Sequence, residues 1–282
     1  MAIKSPTFES RVFVLRRPPG GNPIQPVENL SQLRERMFAR PPRTTGIERV
    51  GDFEVRVNDA PNFYMLYKDI FVNRYYHFDA CRPDPLILDG GGNIGMSVLY
   101  FKRVYPDARI ITFEPDAEVL PYLRDTIDRN HLTRVEVVAA ALGRRDGVAS
   151  FCGDGKYGGS LAVPVDATAG DRTQYEVPCV RLRDYLGQPV DLLKLNIEGA
   201  EWDVLADSED LLPNVREIVI EYHHLPGLPR TLHRILSLLD ERGFEYLIND
   251  FDHETNPGVR PPFRLTPNRR YFLLVYASRR ED

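Results

Sequence analysis

Between residues 86 and 250, short apolar runs alternate with amphipathic helical patterns. That alternation leaves few alternatives to a mostly parallel sheet covered by helices on both faces. LILD (residues 86–89) is the first strand, and Ile94, Val98, Leu99 and Val104 then recur at helical spacing until Tyr105-Pro106 stops the helix. RIITFE (109–114) is the second strand. Asp116 is placed to cap the next helix, which would bury Val119, Leu120, Leu123 and Ile127. VEVVAA (135–140) is the third strand, and the polar, glycine-rich stretch after it carries no predicted element. DLLKLN (191–196) and REIVIEY (216–222) flank a helix that begins near Ala200, and their continuous apolar centres mark central strands. A helix over 230–242 turns Leu232, Ile235, Leu236 and Leu239 inward and stops at Gly243. FEYLI (244–248) and YFLLVYA (271–277) complete the sheet. The Pro-rich connection between them runs to about twenty residues, a length more typical of a lid or binding loop than of a turn.

Residues 1–82 do not follow the alternation. FESRVFVLRR (8–17) reads as a strand, 30–40 as a short helix, 47–57 as a hairpin around Gly51-Asp52, and 62–76 as an aromatic-rich segment. The expected arrangement is an N-terminal α+β cap on a ligand-binding domain over 83–282, with the boundary at Pro83 and Pro85. The 36 basic and 41 acidic residues give a net charge of −5. That balance lacks the electrostatic footprint of a nucleic-acid or anionic-membrane binder and favours a small-molecule partner. Cys81, Cys152 and Cys179 are odd in number and widely spaced, which suits a reduced, cytoplasmic protein. No apolar run has the length of a signal peptide or membrane span. No Cys/His spacing suits zinc.

The loop ILDGGGNIG (87–95) has two parsings. Gly90, Gly92 and Gly95 form the dinucleotide pattern G-x-G-x-x-G, whereas Asp89, Gly91, Asn93 and Gly95 form D-x-G-x-N-x-G. The glycines let the backbone approach a ligand in either case, and Glu114 would accept hydrogen bonds from ribose hydroxyls in either case. Asp89 discriminates. A carboxylate beside a pyrophosphate repels it, whereas the sulfonium and ammonium groups of S-adenosylmethionine are attracted. Asn93 adds an amide for an α-carboxylate or for the turn itself.

A second polar constellation sits in KLNIEGAEWDVL (194–205). Asn196, Glu198 and Glu201 crowd the strand tip, although Glu201 would also be favoured by the dipole of the helix it starts. Lys194 is placed either to reach Asp89 or Glu221 on neighbouring strands or to face solvent. His223 is the first candidate for a general base, with Glu221 beside it and His224 pointing to the other side. Tyr76 and His77 could line an acceptor pocket, while Tyr64, Tyr67 and Phe71 suit the core equally well.

DGGGNIGMS, TFEPD, AALG, KLNIEGAEWDVL and IVIEYH, with KDIFVNRYYHFD upstream, together resemble the FkbM family of S-adenosylmethionine-dependent methyltransferases over roughly residues 60–250. The resemblance implies a doubly wound α/β fold with a seven-stranded sheet in the order 3-2-1-4-5-7-6, and methyl transfer to a hydroxyl of a sugar, polyketide or other secondary metabolite. Cofactor contacts would come from Asp89, Gly90, Gly92, Asn93, Gly95, Glu114, Pro115 and Ala141, and the catalytic side from Asn196, Glu198, Glu221 and His223. Family members commonly carry aspartate where this chain has Asn196, and an amide can hydrogen-bond but cannot act as a base. A metal is therefore not expected, although Glu198, Glu221 and a histidine could hold a divalent ion. Two other classes stay open: a nicotinamide-dependent oxidoreductase using the G-x-G-x-x-G parsing, and a non-catalytic cofactor-binding partner subunit. A homodimer is compatible with the sequence, which does not give the oligomeric state.

Overall fold

The computed structural model describes residues 29–153, 159, 161, 173–225, 227–249 and 271–280. The predicted strand over 8–17 and the Pro-rich connection fall outside them. The chain opens with α1 (Leu30–Phe38), the hairpin strands β1 (Gly46–Val50) and β2 (Phe53–Val57), and α2 (Ala60–Tyr67). Asn29 starts α1 by accepting the Ser31 amide, and Asp59 starts α2 by accepting that of Asn62. After a π-helical turn over Lys68–Val72 come β3 (Leu86–Gly90), α3 (Met96–Val104), β4 (Arg109–Phe113), α4 (Leu120–Arg129) and β5 (Val135–Val138). A small sheet follows, built from β6 (Ala141–Gly143), β7 (Gly147–Gly153) and β8 (Thr173–Arg181). The remaining elements are β9 (Val190–Leu195), α5 (Glu201–Asp207), β10 (Val215–His224), α6 (Leu232–Glu241), β11 (Phe244–Asn249) and β12 (Tyr271–Arg279).

The main sheet runs β11-β12-β10-β9-β3-β4-β5. β12 is antiparallel to both neighbours, and the pairs from β10 through to β5 are parallel. Alternating side chains of the central strands feed two cores. Ile87, Ile110, Leu192, Val219 and Leu274 pack with α1–α4 on one face, whereas Leu88, Ile111, Leu193, Ile218 and Val275 pack with α5 and α6 on the other. Each such aliphatic side chain contributes about 1.5–3 kcal/mol of burial. The N-terminal elements share the first core with α3 and α4, because Leu33, Met37, Phe63 and Tyr67 join it directly. No helix among the described residues is long and apolar enough to cross a membrane.

Asn130 ties the hairpin to α4. Its Oδ1 accepts the Glu54 amide at 2.8 Å, and its Nδ2 donates to the Glu54 and Thr126 carbonyls at 2.7 Å each. Asn130→Ala should lower stability by about 2 kcal/mol in urea unfolding, because the half-buried backbone groups of Glu54 lose their partners. A change below a few tenths would show that water replaces the amide.

Three expectations need correction. The third strand ends at Val138, and Ala139 and Ala140, expected to extend it, form the turn that leads into β6 of the second sheet. The stretch given no element holds β7 and β8. Asp116 caps a turn instead of a helix: its Oδ1 accepts the Glu118 amide, and α4 begins only at Leu120.

Candidate active site

The glycine loop leaves the carboxyl end of β3, where adjacent parallel strands diverge and open sheets bind ligands. The amides of Gly91 and Gly92 both donate to the Phe113 carbonyl, at 2.9 and 3.0 Å, and so tie the loop to β4. Gly91, which the G-x-G-x-x-G pattern skips, is the loop glycine whose Cβ would meet backbone. Its φ is +84°, and a Cβ there would overlap the carbonyl oxygen of Asn196. Asn93 also sits at positive φ; its amide donates to Glu114 Oε2, and its own side-chain oxygen accepts the Ile94 amide.

Asp89 is 0 % exposed and lies beneath this loop, not at its ligand-facing surface. Its Oδ2 accepts hydrogen bonds from Ser97 and Thr112, and its Oδ1 lies 3.0 Å from the ammonium of Lys194, itself 1 % exposed. Lys194 Nζ also donates to the carbonyls of Gly90 and Gly91, at 3.0 and 2.7 Å. The Asp89 charge is thus compensated inside the protein. Direct attraction between Asp89 and a cationic ligand is not how this loop distinguishes one cofactor from another.

A cavity opens in front of the loop. One wall is Gly91, Gly92 and Asn93; the next is Glu114, Pro115 and Asp116 after β4; Ala140, Ala141 and Leu142 close a third side. Both Glu114 oxygens accept backbone amides, from Asn93 and Asp116, and burial pushes its carboxyl up to about 7 against those bonds. A ligand that hydrogen-bonds the Glu114 carboxylate should therefore bind more tightly as pH rises from 6 to 8, by up to about tenfold across that range. Calorimetry with S-adenosylmethionine at both pH values checks this, and an affinity that is flat or falls would contradict it.

The far side of the cavity is formed by Leu66, Ile70, Tyr76, Asn196, Ile197 and Glu198. Tyr76 donates to Glu221 Oε2 at 2.6 Å, and the Asn196 amide donates to the same oxygen at 2.7 Å. Burial, followed by the Glu221 charge, holds the Tyr76 phenol well above its ordinary value. Glu198 has φ +53°, a left-handed conformation that disfavours a non-glycine residue by about 1–2 kcal/mol. Behind it, His223 places Nε2 3.4 Å from Glu198 and Nδ1 3.3 Å from Glu201. Burial alone would lower the imidazolium pKa, but the carboxylates of Glu198, Glu201 and Glu221 together raise it to about 9. His223 does not line the cavity and turns both ring nitrogens to carboxylates, so it is not placed to take a proton from a bound acceptor. Among the described residues, no group of three or more His, Cys, Asp or Glu is arranged to hold a metal ion.

A family model for the methyltransferase FkbM domain matches residues 89–246, more than half of the 282-residue chain. The chain belongs to the FkbM methyltransferase family. It is similar to Methyltransferase 1 of Beauveria bassiana, with 31 % identity over 77 % of this chain and 93 % of the relative. It is also similar to 31-O-demethyl-FK506 methyltransferase FkbM of Streptomyces tacrolimicus, with 29 % identity over 66 % of this chain and 83 % of the relative. A third relative, 2-O-methyltransferase NoeI of Sinorhizobium fredii, is 29 % identical over 50 % of this chain and 64 % of its own length.

Of the residues nominated in this FkbM methyltransferase, Gly92, Asn93, Glu114, Pro115, Ala141, Asn196 and Glu198 line the cavity. Asp89, Gly90, Gly95, Glu221 and His223 support that lining from behind. A Cβ on Gly90 would crowd Leu142, Leu195 and Ile197, and Gly95 caps the start of α3 at φ +93°. Tyr76 reaches the cavity. His77 does not: its Nδ1 pairs with the Tyr100 hydroxyl at 3.0 Å, and it faces a separate groove beside Glu217 and Tyr276. Tyr64, Tyr67 and Phe71 are core residues. Gly91, Asp116 and Lys194 also line the cavity, beyond the cofactor contacts that the sequence implies. Gly91 belonged to the D-x-G-x-N-x-G parsing, so its signal was present.

Proposed function

We propose that this methyltransferase uses S-adenosylmethionine to methylate a hydroxyl of a small molecule, with residues 1–82 contributing to the acceptor side. The observation that carries this reading is one cavity with two unlike walls. The Gly91–Gly92–Asn93 loop and the Glu114 carboxylate occupy one side, and Tyr76, Asn196 and Glu198 occupy the other. The residues present suit the cofactor. Gly91, Gly92 and Glu114 line one side of the cavity together, and each Glu114 oxygen keeps a second lone pair for a ribose hydroxyl after accepting its backbone amide. Relatives whose names specify 31-O- and 2-O-methylation support oxygen as the methyl acceptor.

When bound, the cofactor supplies a methyl group on a cationic sulfur, which is already an activated leaving group. The protein then has to align the acceptor oxygen and exclude water. Leu66 and Ile70 supply apolar wall on the acceptor side. Glu198 faces the same space and takes the hydroxyl proton, a role worth about 10²–10⁴ in rate when fulfilled by a well-placed base. The Tyr76, Asn196 and Glu221 cluster holds the wall next to it in one arrangement.

The test is calorimetry of the full chain with S-adenosylmethionine, S-adenosylhomocysteine and NAD, followed by tritium transfer from methyl-labelled cofactor to a panel of glycosides and polyketide lactones. Saturable binding of the first two with no heat from NAD is expected. Absence of binding by both methyl-cycle compounds would end the proposal, and binding of NAD alone would revive the dinucleotide parsing of the loop.

A further inference from the structure

His223 is held on three sides. It is paired in the ladder with Phe272 of β12, whose ring lies edge-on at 4.8 Å, and it is nearly fully buried. Its two ring nitrogens face two different carboxylates, Glu198 from the loop after β9 and Glu201 from the first turn of α5. Nδ1 hydrogen-bonds Glu201, whereas Nε2 meets Glu198 as an ion pair, and that attraction exists only when the ring is the cation. Glu201 Oε1 also accepts the Gly199 amide at 3.0 Å. Gly199 follows Glu198 with φ +101°, so two successive left-handed residues are tied at both ends to one imidazole and its carboxylate partner.

We propose that His223 is a positioning residue: its imidazolium, braced on Glu201, clamps the Glu198 carboxylate in the cavity and holds the Glu198-Gly199 turn in its left-handed form. The role assigned to Glu198 rests on the methyltransfer reading above, whereas the clamp itself is a property of the protein alone. The charged groups that face His223 are Glu198, Glu201 and Glu221, and β12 contributes only the uncharged Phe272 ring. All three charges favour the cation. Because the raised midpoint lies at about 9, the clamp is intact at neutral pH and opens as pH rises through that value.

The experiment is an NMR titration of the ¹⁵N-labelled full chain without cofactor. Both His223 nitrogens should be protonated at pH 7, and the amides of Glu198 and Gly199 should titrate with the same midpoint as the ring. Glu198→Gln should lower that midpoint by about one unit or more, and His223→Gln should abolish the titration of the two amides. A His223 that is neutral at pH 7, or a midpoint indifferent to Glu198→Gln, would overturn the clamp; both measurements stand even if His223→Gln does not fold. Where it folds, His223→Gln should bind S-adenosylmethionine within about threefold of wild type yet transfer methyl to the panel at least about tenfold more slowly. Unchanged transfer would also overturn the proposal. Failure of the wild type to bind S-adenosylmethionine would instead count against the methyltransfer reading and leave the titration to decide the clamp.

Discussion

Replacing Gly91 with alanine should remove cofactor binding while leaving the fold in place. The added Cβ would overlap the Asn196 carbonyl oxygen, a backbone atom at the tip of β9 that cannot rotate away. The residue would also be an alanine at φ +84°. Left-handed strain and local overpacking each cost about 1–3 kcal/mol. Relief requires the loop or the β9 tip to move, and both are walls of the same cavity. The expected loss is at least about 100-fold in S-adenosylmethionine affinity, or about 2.7 kcal/mol, measured by calorimetry with circular dichroism unchanged. Gly187→Ala is the control, since its Cβ would meet nothing within 4 Å. Binding by Gly91→Ala within threefold of wild type would show that the loop is far more pliable than its hydrogen bonds to Phe113 imply.

Lys194→Met should be the most destabilising substitution in the site. It leaves Asp89 as an uncompensated anion with no exposure, and removes the ammonium donor from the Gly91 carbonyl and from that of Gly90, which keeps only the Asn196 amide. Breaking one side of a buried pair costs about 3–5 kcal/mol, whereas removing both partners costs much less. In urea unfolding, Asp89→Asn combined with Lys194→Met should therefore recover more than half of the loss from Lys194→Met alone. Strict additivity of the two single changes would mean that the pair is not energetically coupled.

Most of the main sheet could be read from period and punctuation, because its strands are continuous apolar runs and its helices carry one apolar stripe. LILD, buried along its full length in β3, is the clearest case. The second sheet was hidden for a physical reason. β8 pairs on both sides, yet it contains Pro178 opposite Val148, and a proline inside a strand argues against a central position. The alternation of buried Val177 and Cys179 was legible around it. For the site, residue types at strand ends located the cavity walls, but the sequence could not show which charges cancel. Lys194 was within reach of Asp89, Glu221 or solvent, and only the burial of Asp89 and Lys194 together beneath the loop selects the first. His223 looked like a base because nothing local reveals that Glu198 and Glu201 converge on its two nitrogens.

The placement of β12 between β10 and β11 has a consequence for how the chain is made. A nascent chain that has emerged as far as β11 holds two strands that are neighbours in sequence but cannot lie side by side in the finished order. Both must wait, with open hydrogen-bonding edges, until residues 271–279 follow and insert between them. The half of the sheet from β3 to β9 has no such dependency. Assembly during synthesis should therefore stall at β10, and the interval before β12 arrives is when this protein is most exposed to pairing with the wrong strand or with another molecule.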